Sequence, residues 1–593
     1  MAPTTAQNLA ATFFERAEAR GDEPFMWAKH DGAYEPWSWR RAAEAVGALS
    51  RGLRALGVEA GDRVVLVSEN RPEWVVADLA IMAAGAITVP AYITNNRDGH
   101  AHILGHSGAT AAIVSTNALA KLLLAAAGAA PDLKLVVAME AIGIDSAGPI
   151  AIHGWDEAIE KGAAMTDDVA KMVAGILPSD LACFIYTSGT GGRPKGVMLT
   201  HRAIACNVFS AMDLLSELGL GDDVFLSFLP LSHSYEHTCG LHLPIALGAQ
   251  IYYAESIEAL SANMAEARPT IMTCVPRLYE LMRARIMAGV IRAGGLKKVL
   301  FEAALRLGRK RHEGGRLSFL ERLLDRLVDR LVRDKARARF GGRMKALISG
   351  GAPLNYDIGM FFLALGLPVY QGYGQTEAAP LISCNRRSNN NIASVGPALA
   401  GVEARIAEDG EICVRGDMLM EGYWNDAAAT GEALKDGWLH TGDIGHVDAA
   451  GCILITDRKK DIMVNSGGDN IAPQRVEGVL TLEPEIAQAM VYGDRRAHLV
   501  ALIVPDAGFI ENYAKSKSCA ADLAVLASDA GFHDALARAV RQAGGGLSSI
   551  EKIKRFAIAP QPFSIENGEM TPTMKTRRHA IIERYRETLD GLY

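Results

Sequence analysis

No C-x-x-C pair occurs in this chain. Its eight cysteines, at 183, 206, 239, 274, 384, 413, 452 and 519, are scattered over 593 residues, so neither a dithiol redox centre nor a disulfide framework is expected and the thiols read as reduced. The first residues, MAPTTAQNLAATFFERAEARGDEP, hold early acidic groups and no apolar run, so a secretory signal peptide is not expected. No uninterrupted stretch approaches the roughly 20 apolar residues of a membrane-spanning helix. The best candidate, 75–93, contains Asp78, Gly85 and Pro90 and reads as a helix running into a buried strand. These absences point to a cytoplasmic protein. There is no G-x-S-x-G elbow to support a serine hydrolase, no internal repeat and no low-complexity tract. A basic excess is missing too: the formal net charge is −7 and the pI near 6.1, which gives no global case for nucleic-acid binding.

What is present is a large, ordinary globular composition, 49% hydrophobic and 22% charged. At this length one core does not suffice, so two or more domains are expected. Through residue 280 or so, helical stretches such as 40–56 alternate with short β-branched runs: RVVLVSEN (63–70), AAIVST (111–116), KLVVAME (134–140), LACFIYTSG (181–189) and AQIYYA (249–254). That alternation predicts a mostly parallel sheet covered by helices. KALISGGAPL (345–354) and PVYQGYGQTE (368–377) read as strands ending in glycine-rich loops, where ligands of open α/β sheets gather. After residue 400 the pattern turns to hairpins, VEARIAEDGEICVRG (402–416) and GHVDAAGCILITDRKKD (445–461), with Asp-Gly and Ala-Gly turns. DRKKD reads as a linker, followed by about 130 residues of mixed helix and strand, enough for a small domain.

Residues 292–345 stand apart, with 17 Lys/Arg against 6 Asp/Glu, a local excess of +11 that leaves −18 for the rest. Within them FLERLLDRLVDRLVRD (319–334) carries Leu and Val at 320, 323, 324, 327, 328, 331 and 332, an apolar helical stripe opposite a basic face. The plainer expectation is a helix packed on its own protein, with Asp329–Arg333 and Arg330–Asp334 paired at i, i+4. The alternative is peripheral contact with an anionic membrane, at the inner face of a bilayer.

The stretch YTSGTGGRPKG (186–196) is built like a phosphate loop but is not a Walker loop, because Lys195 follows Pro194 and Gly196 follows the lysine. Glycines let successive N–H groups converge on an anion, hydroxyls add donors, and Lys195 adds charge. Thr200 is placed to cap the helix that follows. An ordinary glycine-rich turn is the alternative.

With SGGAPL (349–354), GYGQTE (372–377), GWLHTGDIG (437–445), DRKKD (457–461) and TPTMK (571–575) in that order, the chain resembles the adenylate-forming (AMP-binding) superfamily over nearly its whole length. LPLSHSYEH (229–237), VPRLYE (275–280), TPTMK and the helical insert resemble the long-chain fatty acyl-CoA synthetase branch. The resemblance implies an α/β fold with a large N-terminal domain, 1–456, of mostly parallel sheets covered by helices plus a β-rich subdomain. It also implies a hinge at 457–461 and a small mobile α+β C-terminal lid, 462–593. The basic helical insert falls at about 281–345. By the same resemblance ATP is held by Thr187, Ser188, Gly189, Thr190, Gly191, Gly192 and Lys195. Gly351, Ala352, Pro353, Gly372, Tyr373 and Gly374 form the adenine site, Thr376 meets the α-phosphate, and Glu377 holds Mg²⁺. Asp443, with Arg458 beside it, takes the ribose hydroxyls; Lys575 is the catalytic lysine; Lys460 is the pivot; His233 gates the acyl and thiol channels; and Ser466, Gly467 and Gly468 face coenzyme A. Gly191 departs from the family, which usually has Thr there, and removes one hydroxyl donor.

The implied activity is ATP-dependent activation of a medium- or long-chain fatty acid to acyl-AMP, then thioester formation with coenzyme A. An acyl-AMP ligase loading a carrier protein is the nearest alternative, and a non-catalytic lipid- or nucleotide-binding scaffold is the alternative of another class. A homodimer is allowed for; nucleic acid is not expected. The spacing of His233, His237, Cys239 and His242 also fits a zinc site, but Pro230 argues against one long helix there and no second half-site accompanies it.

Overall fold

The computed structural model describes residues 8–143, 148–187, 193–467, 469–571 and 574–593. Two eight-stranded sheets form its bulk. In the first, strands Leu381–Cys384, Val369–Gly374, Ala346–Ser349, Ile271–Cys274, Val224–Ser227, Gln250–Tyr253, Pro24–His30 and Ala33–Ser38 follow in that order across the sheet. The second runs Gly422–Tyr423, Lys195–Thr200, Leu181–Thr187, Ile87–Pro90, Arg63–Val67, Ala111–Val114, Leu135–Ala138 and Ala151–Gly154. Both are parallel in the middle; the first is antiparallel at both edges, the second only at the edge formed by Gly422–Tyr423 and Lys195–Thr200. The reason lies in the connections: helical crossovers give parallel neighbours, while the turn at 31–32 is too short for anything but a hairpin.

Helix Pro72–Ala83 is buried at every residue except Glu73. An all-round apolar helix must be enclosed on all sides, and this one packs against strands of both sheets within a single cluster that joins Phe25, Phe225 and Ile251 to Val64, Leu66 and Ile113. The span suspected at 75–93 is thus a core helix plus the strand Ile87–Pro90. Helices Arg97–Ser107 and Asn117–Ala126 cover the far face of the second sheet. Leu260–Ala267, Pro276–Ala293 and Tyr356–Ala364 cover the far face of the first, giving αβαβα layering.

After Pro194 the chain returns as strand Lys195–Thr200, antiparallel to Leu181–Thr187, and then enters helix His201–Ser216. Thr200 caps that helix as expected, its Oγ1 accepting from Ala203 N at 3.1 Å.

A five-stranded antiparallel sheet follows, containing both expected hairpins, Glu403–Ile406 with Glu411–Arg415 and Trp438–Val447 with Ile453–Arg458. Beyond it, strands Ile486–Tyr492, Leu499–Pro505 and Ile553–Ile558 form a three-stranded sheet between helices, with hydrophobic clusters of their own. Only a few apolar contacts cross to the larger part, notably Met574 and Leu482. Polar ties cross as well: Arg277 donates to Ala487 O at 2.9 Å and Asn355 to Gly478 O at 2.9 Å.

Among the described residues, no helix is long and apolar enough to cross a membrane. In the insert, helices Gly295–His312 and Phe319–Val328 form an antiparallel pair. Asp329 and Arg333 pair at 3.6 Å as expected, but Asp334 accepts from Arg337 at 2.7 Å and not from Arg330. The helix widens by a π-turn at Asp329–Arg333, which shifts the register that simple i, i+4 counting assumes.

Candidate active site

The candidate cleft gathers residues from sequence segments more than 300 positions apart. Strand Ala346–Ser349 runs into Gly350 and Gly351. A Cβ on Gly350 would lie 2.9 Å from the Tyr235 ring, and Gly351 has φ +81°, so both positions call for glycine. A Cβ on Gly351 would stand 3.8 Å from Lys575 Cε. The lysine of the last segment thus reaches the backbone of the SGGAPL turn that also carries Ala352 and Pro353.

The neighbouring strand Val369–Gly374 brings Gly372, Tyr373 and Gly374 alongside. The Tyr373 hydroxyl donates to Asp443 Oδ2 at 2.6 Å, while Arg458 Nε donates to Asp443 Oδ1 at 2.9 Å. Asp443 and Arg458 are register partners on adjacent strands, which is why HTGD and DRKKD meet. Both Asp443 oxygens thus accept from a donor, one of them cationic. Burial first, and then the adjoining Asp443 carboxylate, push the Tyr373 phenol well above its usual range; it stays a neutral donor.

Thr376 is buried, with Oγ1 2.9 Å from Ser234 Oγ. Glu377, half-buried, accepts at Oε1 from the Tyr423 hydroxyl at 2.8 Å. Its Oε2 accepts no hydrogen bond among the described residues, so one carboxylate oxygen is available to a hard cation.

Lys575 is solvent-accessible in the cleft yet crowded by protein. Desolvation, reinforced by the Arg458 charge and opposed by Asp443 and Glu377, lowers its amine from 10.5 to about 8. His233 faces the same charge: burial, then the positive field of Lys575, lower its pKa to about 3. Its Nδ1 accepts from Tyr235 N at 3.1 Å, so the neutral ring carries its proton on Nε2.

Other expected residues stand apart. Thr187 ends its strand opposite Lys195. Lys195 is not an unpaired cation: its Nζ lies 3.6 Å from Asp426 Oδ2 and 4.9 Å from the Tyr423 ring centre. Ser188, Gly189, Thr190, Gly191, Gly192 and Gly468 lie outside the described residues. Lys460 occupies an exposed turn closed by Asp461 N and Ile462 N on Arg458 O. Ser466 and Gly467 are exposed just after strand Met463–Val464, their N–H groups donating to Arg496 O and Asn465 Oδ1; no contact among the described residues brings them to the Lys575 cluster.

The histidines do not form the zinc pattern suggested by their spacing. His237 and His242 turn into the core, at 3.0 and 3.7 Å from Asp78 Oδ2, whereas His233 points to the cleft and Cys239 is a buried thiol whose pKa burial pushes well up. A π-turn at His237–His242 sets this geometry, which a helical wheel does not anticipate. Sequence reading also missed Ser234, Tyr235 and Tyr423. The first two lie inside LPLSHSYEH, so their neighbourhood was flagged without their roles. Tyr423 lies 46 positions from Glu377, and no local signal joins them.

Asp443→Asn is expected to raise the KM for ATP roughly 10- to 100-fold, the worth of one hydrogen bond to a charged group. Steady-state kinetics, with circular dichroism as the fold control, checks this; an unchanged KM would remove Asp443 from nucleotide binding.

Two sheets with parallel cores, a β-rich subdomain and a smaller C-terminal part around such a cleft define the adenylate-forming fold. The chain belongs to the AMP-binding enzyme family: the family model matches residues 13–424, and that of the AMP-binding enzyme C-terminal domain matches 460–593. It is 34% identical, over 99% of its length and 97% of the relative's, to a long-chain-fatty-acid–CoA ligase, FadD15, of Mycobacterium bovis. It is 31% identical to long-chain-fatty-acid–CoA ligase 1 of Homo sapiens, over 95% of this chain and 83% of that one. Among solved structures, the A domain of a carboxylic acid reductase from Segniliparus rugosus, in complex with AMP and a co-purified carboxylic acid, shares the fold. The TM-score is 0.78 and the identity 21%, over 99% of this chain and 94% of that one.

Proposed function

We propose that the protein is an AMP-forming long-chain fatty acid–CoA ligase working in two half-reactions at this cleft. The observation that carries the reading is the position of Lys575 beside Gly351 and within the fields of Asp443, Arg458 and Glu377. Full-length relatedness to long-chain-fatty-acid–CoA ligases supports the substrate class.

In the first half-reaction a carboxylate oxygen of the acid bonds to the ATP α-phosphorus, and the α–β bridging P–O bond breaks with its electron pair leaving on pyrophosphate. Two anions must approach, and the Lys575 ammonium between them lowers that barrier. Asp443 takes the ribose hydroxyls, Tyr373 and Arg458 hold Asp443 in place, and Thr376 donates to the α-phosphate. Glu377 Oε2 is the free oxygen that fits Mg²⁺, which when bound supplies charge neutralisation on the phosphates. In the second half-reaction the segment beyond 457–461 turns about Lys460, withdraws Lys575 and presents Ser466, Gly467 and Gly468 to the pantetheine arm. The coenzyme A thiolate sulfur bonds to the acyl carbon, and the C–O bond breaks with its electron pair leaving on the AMP phosphate. His233, neutral across the working range, lines that approach.

ATP–pyrophosphate exchange with a panel of fatty acids, followed by thioester assay with free coenzyme A, tests the reading. Exchange without thioester would assign the acyl group to a carrier protein; no exchange with any acid would end the proposal.

The pH profile gives a sharper check. An amine is charged below its pKa, so exchange is expected to be full on the acidic side and to fall as pH rises through about 8. Bound triphosphate favours the charged form and shifts the limb upward in kcat relative to kcat/KM. Lys575→Arg should lose the limb, because guanidinium stays charged throughout. A limb retained in that variant would belong to another group.

A further inference from the structure

The second insert helix, Phe319–Val328 with its continuation to Arg333, has two apolar stripes rather than one. Leu324, Val328 and Val332 turn inward on Leu300, Ala304 and Leu307. Leu320, Leu323, Leu327 and Leu331, spaced at helical intervals, turn outward, 75%, 48%, 49% and 41% exposed, and Phe319 beside them is 71% exposed. At about 100° per residue, Arg322 and Arg326 fall on the arc adjoining that outer stripe, and both are exposed, as is Arg330 in the π-turn that continues the helix.

The acids of this helix are directed elsewhere. Glu321 is held by Lys310 at 2.8 Å, Asp325 by Arg333 at 2.7 Å and Asp329 by Arg337 at 3.1 Å. Arg322, Arg326 and Arg330 consequently have no carboxylate partner among the described residues. The outer leucines are not core, and the arginines are not a neutralised solvated face.

We infer that this stripe of leucines and arginines docks the protein on an anionic lipid surface, the leucines entering the headgroup–acyl boundary and the arginines meeting lipid phosphates. Charge complementarity selects this occupant. A plane of mixed apolar depth and negative charge satisfies both rows at once. A second copy meeting the stripe antiparallel across a two-fold axis would bring the unpaired arginine rows together, like charge against like. The inference does not depend on the fatty-acid reading.

Co-sedimentation of the full-length protein with vesicles of phosphatidylcholine, alone or mixed with phosphatidylglycerol, tests it. Binding is expected to the mixed vesicles at least about tenfold more strongly than to the neutral ones, and to weaken as salt is raised. The triple variant Arg322→Gln, Arg326→Gln, Arg330→Gln should bind on the order of 100-fold less. Leu320→Ser with Leu323→Ser and Leu327→Ser should lower binding at all salt concentrations. Pyrophosphate exchange with a soluble acid and thermal melting report folding in both; should the leucine variant misfold, the arginine variant stands alone as the test. Equal binding by the folded variants, or equal binding to neutral vesicles, would overturn the inference. So would a concentration-dependent dimer that the leucine variant abolishes, with no vesicle binding by the parent protein; the stripe would then be an interface between copies.

Discussion

Lys575→Ala is expected to lower the rate of ATP–pyrophosphate exchange by roughly 100- to 1,000-fold, the loss typical of a preorganised charge aimed at a transition state. The same variant, supplied with acyl-AMP and coenzyme A, should form thioester at close to the parental rate. The asymmetry follows from geometry. In this structure the amine stands at the SGGAPL turn beside the Asp443–Arg458–Glu377 group, where the proposed attack on phosphorus would develop charge. Departure of AMP from a thioester-forming intermediate needs no cation bridging a carboxylate and a phosphate. Single-turnover assays of each half-reaction measure the two rates separately. Equal loss in both would make Lys575 a structural residue, and melting temperature would then fall with it.

The converse pattern is expected for Lys460→Pro: exchange largely retained, thioester formation reduced by tenfold or more. Lys460 lies in a short exposed turn whose closing hydrogen bonds use Asp461 N and Ile462 N, not its own. Proline there removes no hydrogen bond from the observed arrangement. It does fix φ near −65° and restrict Lys459 before it, and so should block the rotation proposed for the second half-reaction. Half-reaction kinetics read this directly; an unimpaired thioester step would place the pivot elsewhere.

Much of this architecture is legible in the sequence because it is local. The strand runs at 63–67, 111–114, 135–138, 181–187 and 369–374 form where β-branched residues cluster between helical stretches, and the hairpins form at their Asp-Gly and Ala-Gly turns. What was hidden is what depends on pairing at long range. Nothing within KGVMLTHRAIACN says that its first six residues pair as an antiparallel strand before the helix begins, because a short strand and a helix entry look alike over so few positions. Tyr423 meets Glu377, Ser234 meets Thr376 and Asp78 meets His237 only once the sheets are assembled. The outer leucines of the insert show the limit from the other side. Periodicity identified the apolar helix, but a helix apolar over a wide arc does not reveal which part of the arc its own protein will cover.

The wholly enclosed helix Pro72–Ala83 has a consequence for how this molecule comes apart. Because its side chains belong to the interior of both large sheets, neither sheet has a surface at which it could separate without opening the other. The two large sheets therefore come apart together or not at all, with one shared helix as their common spine.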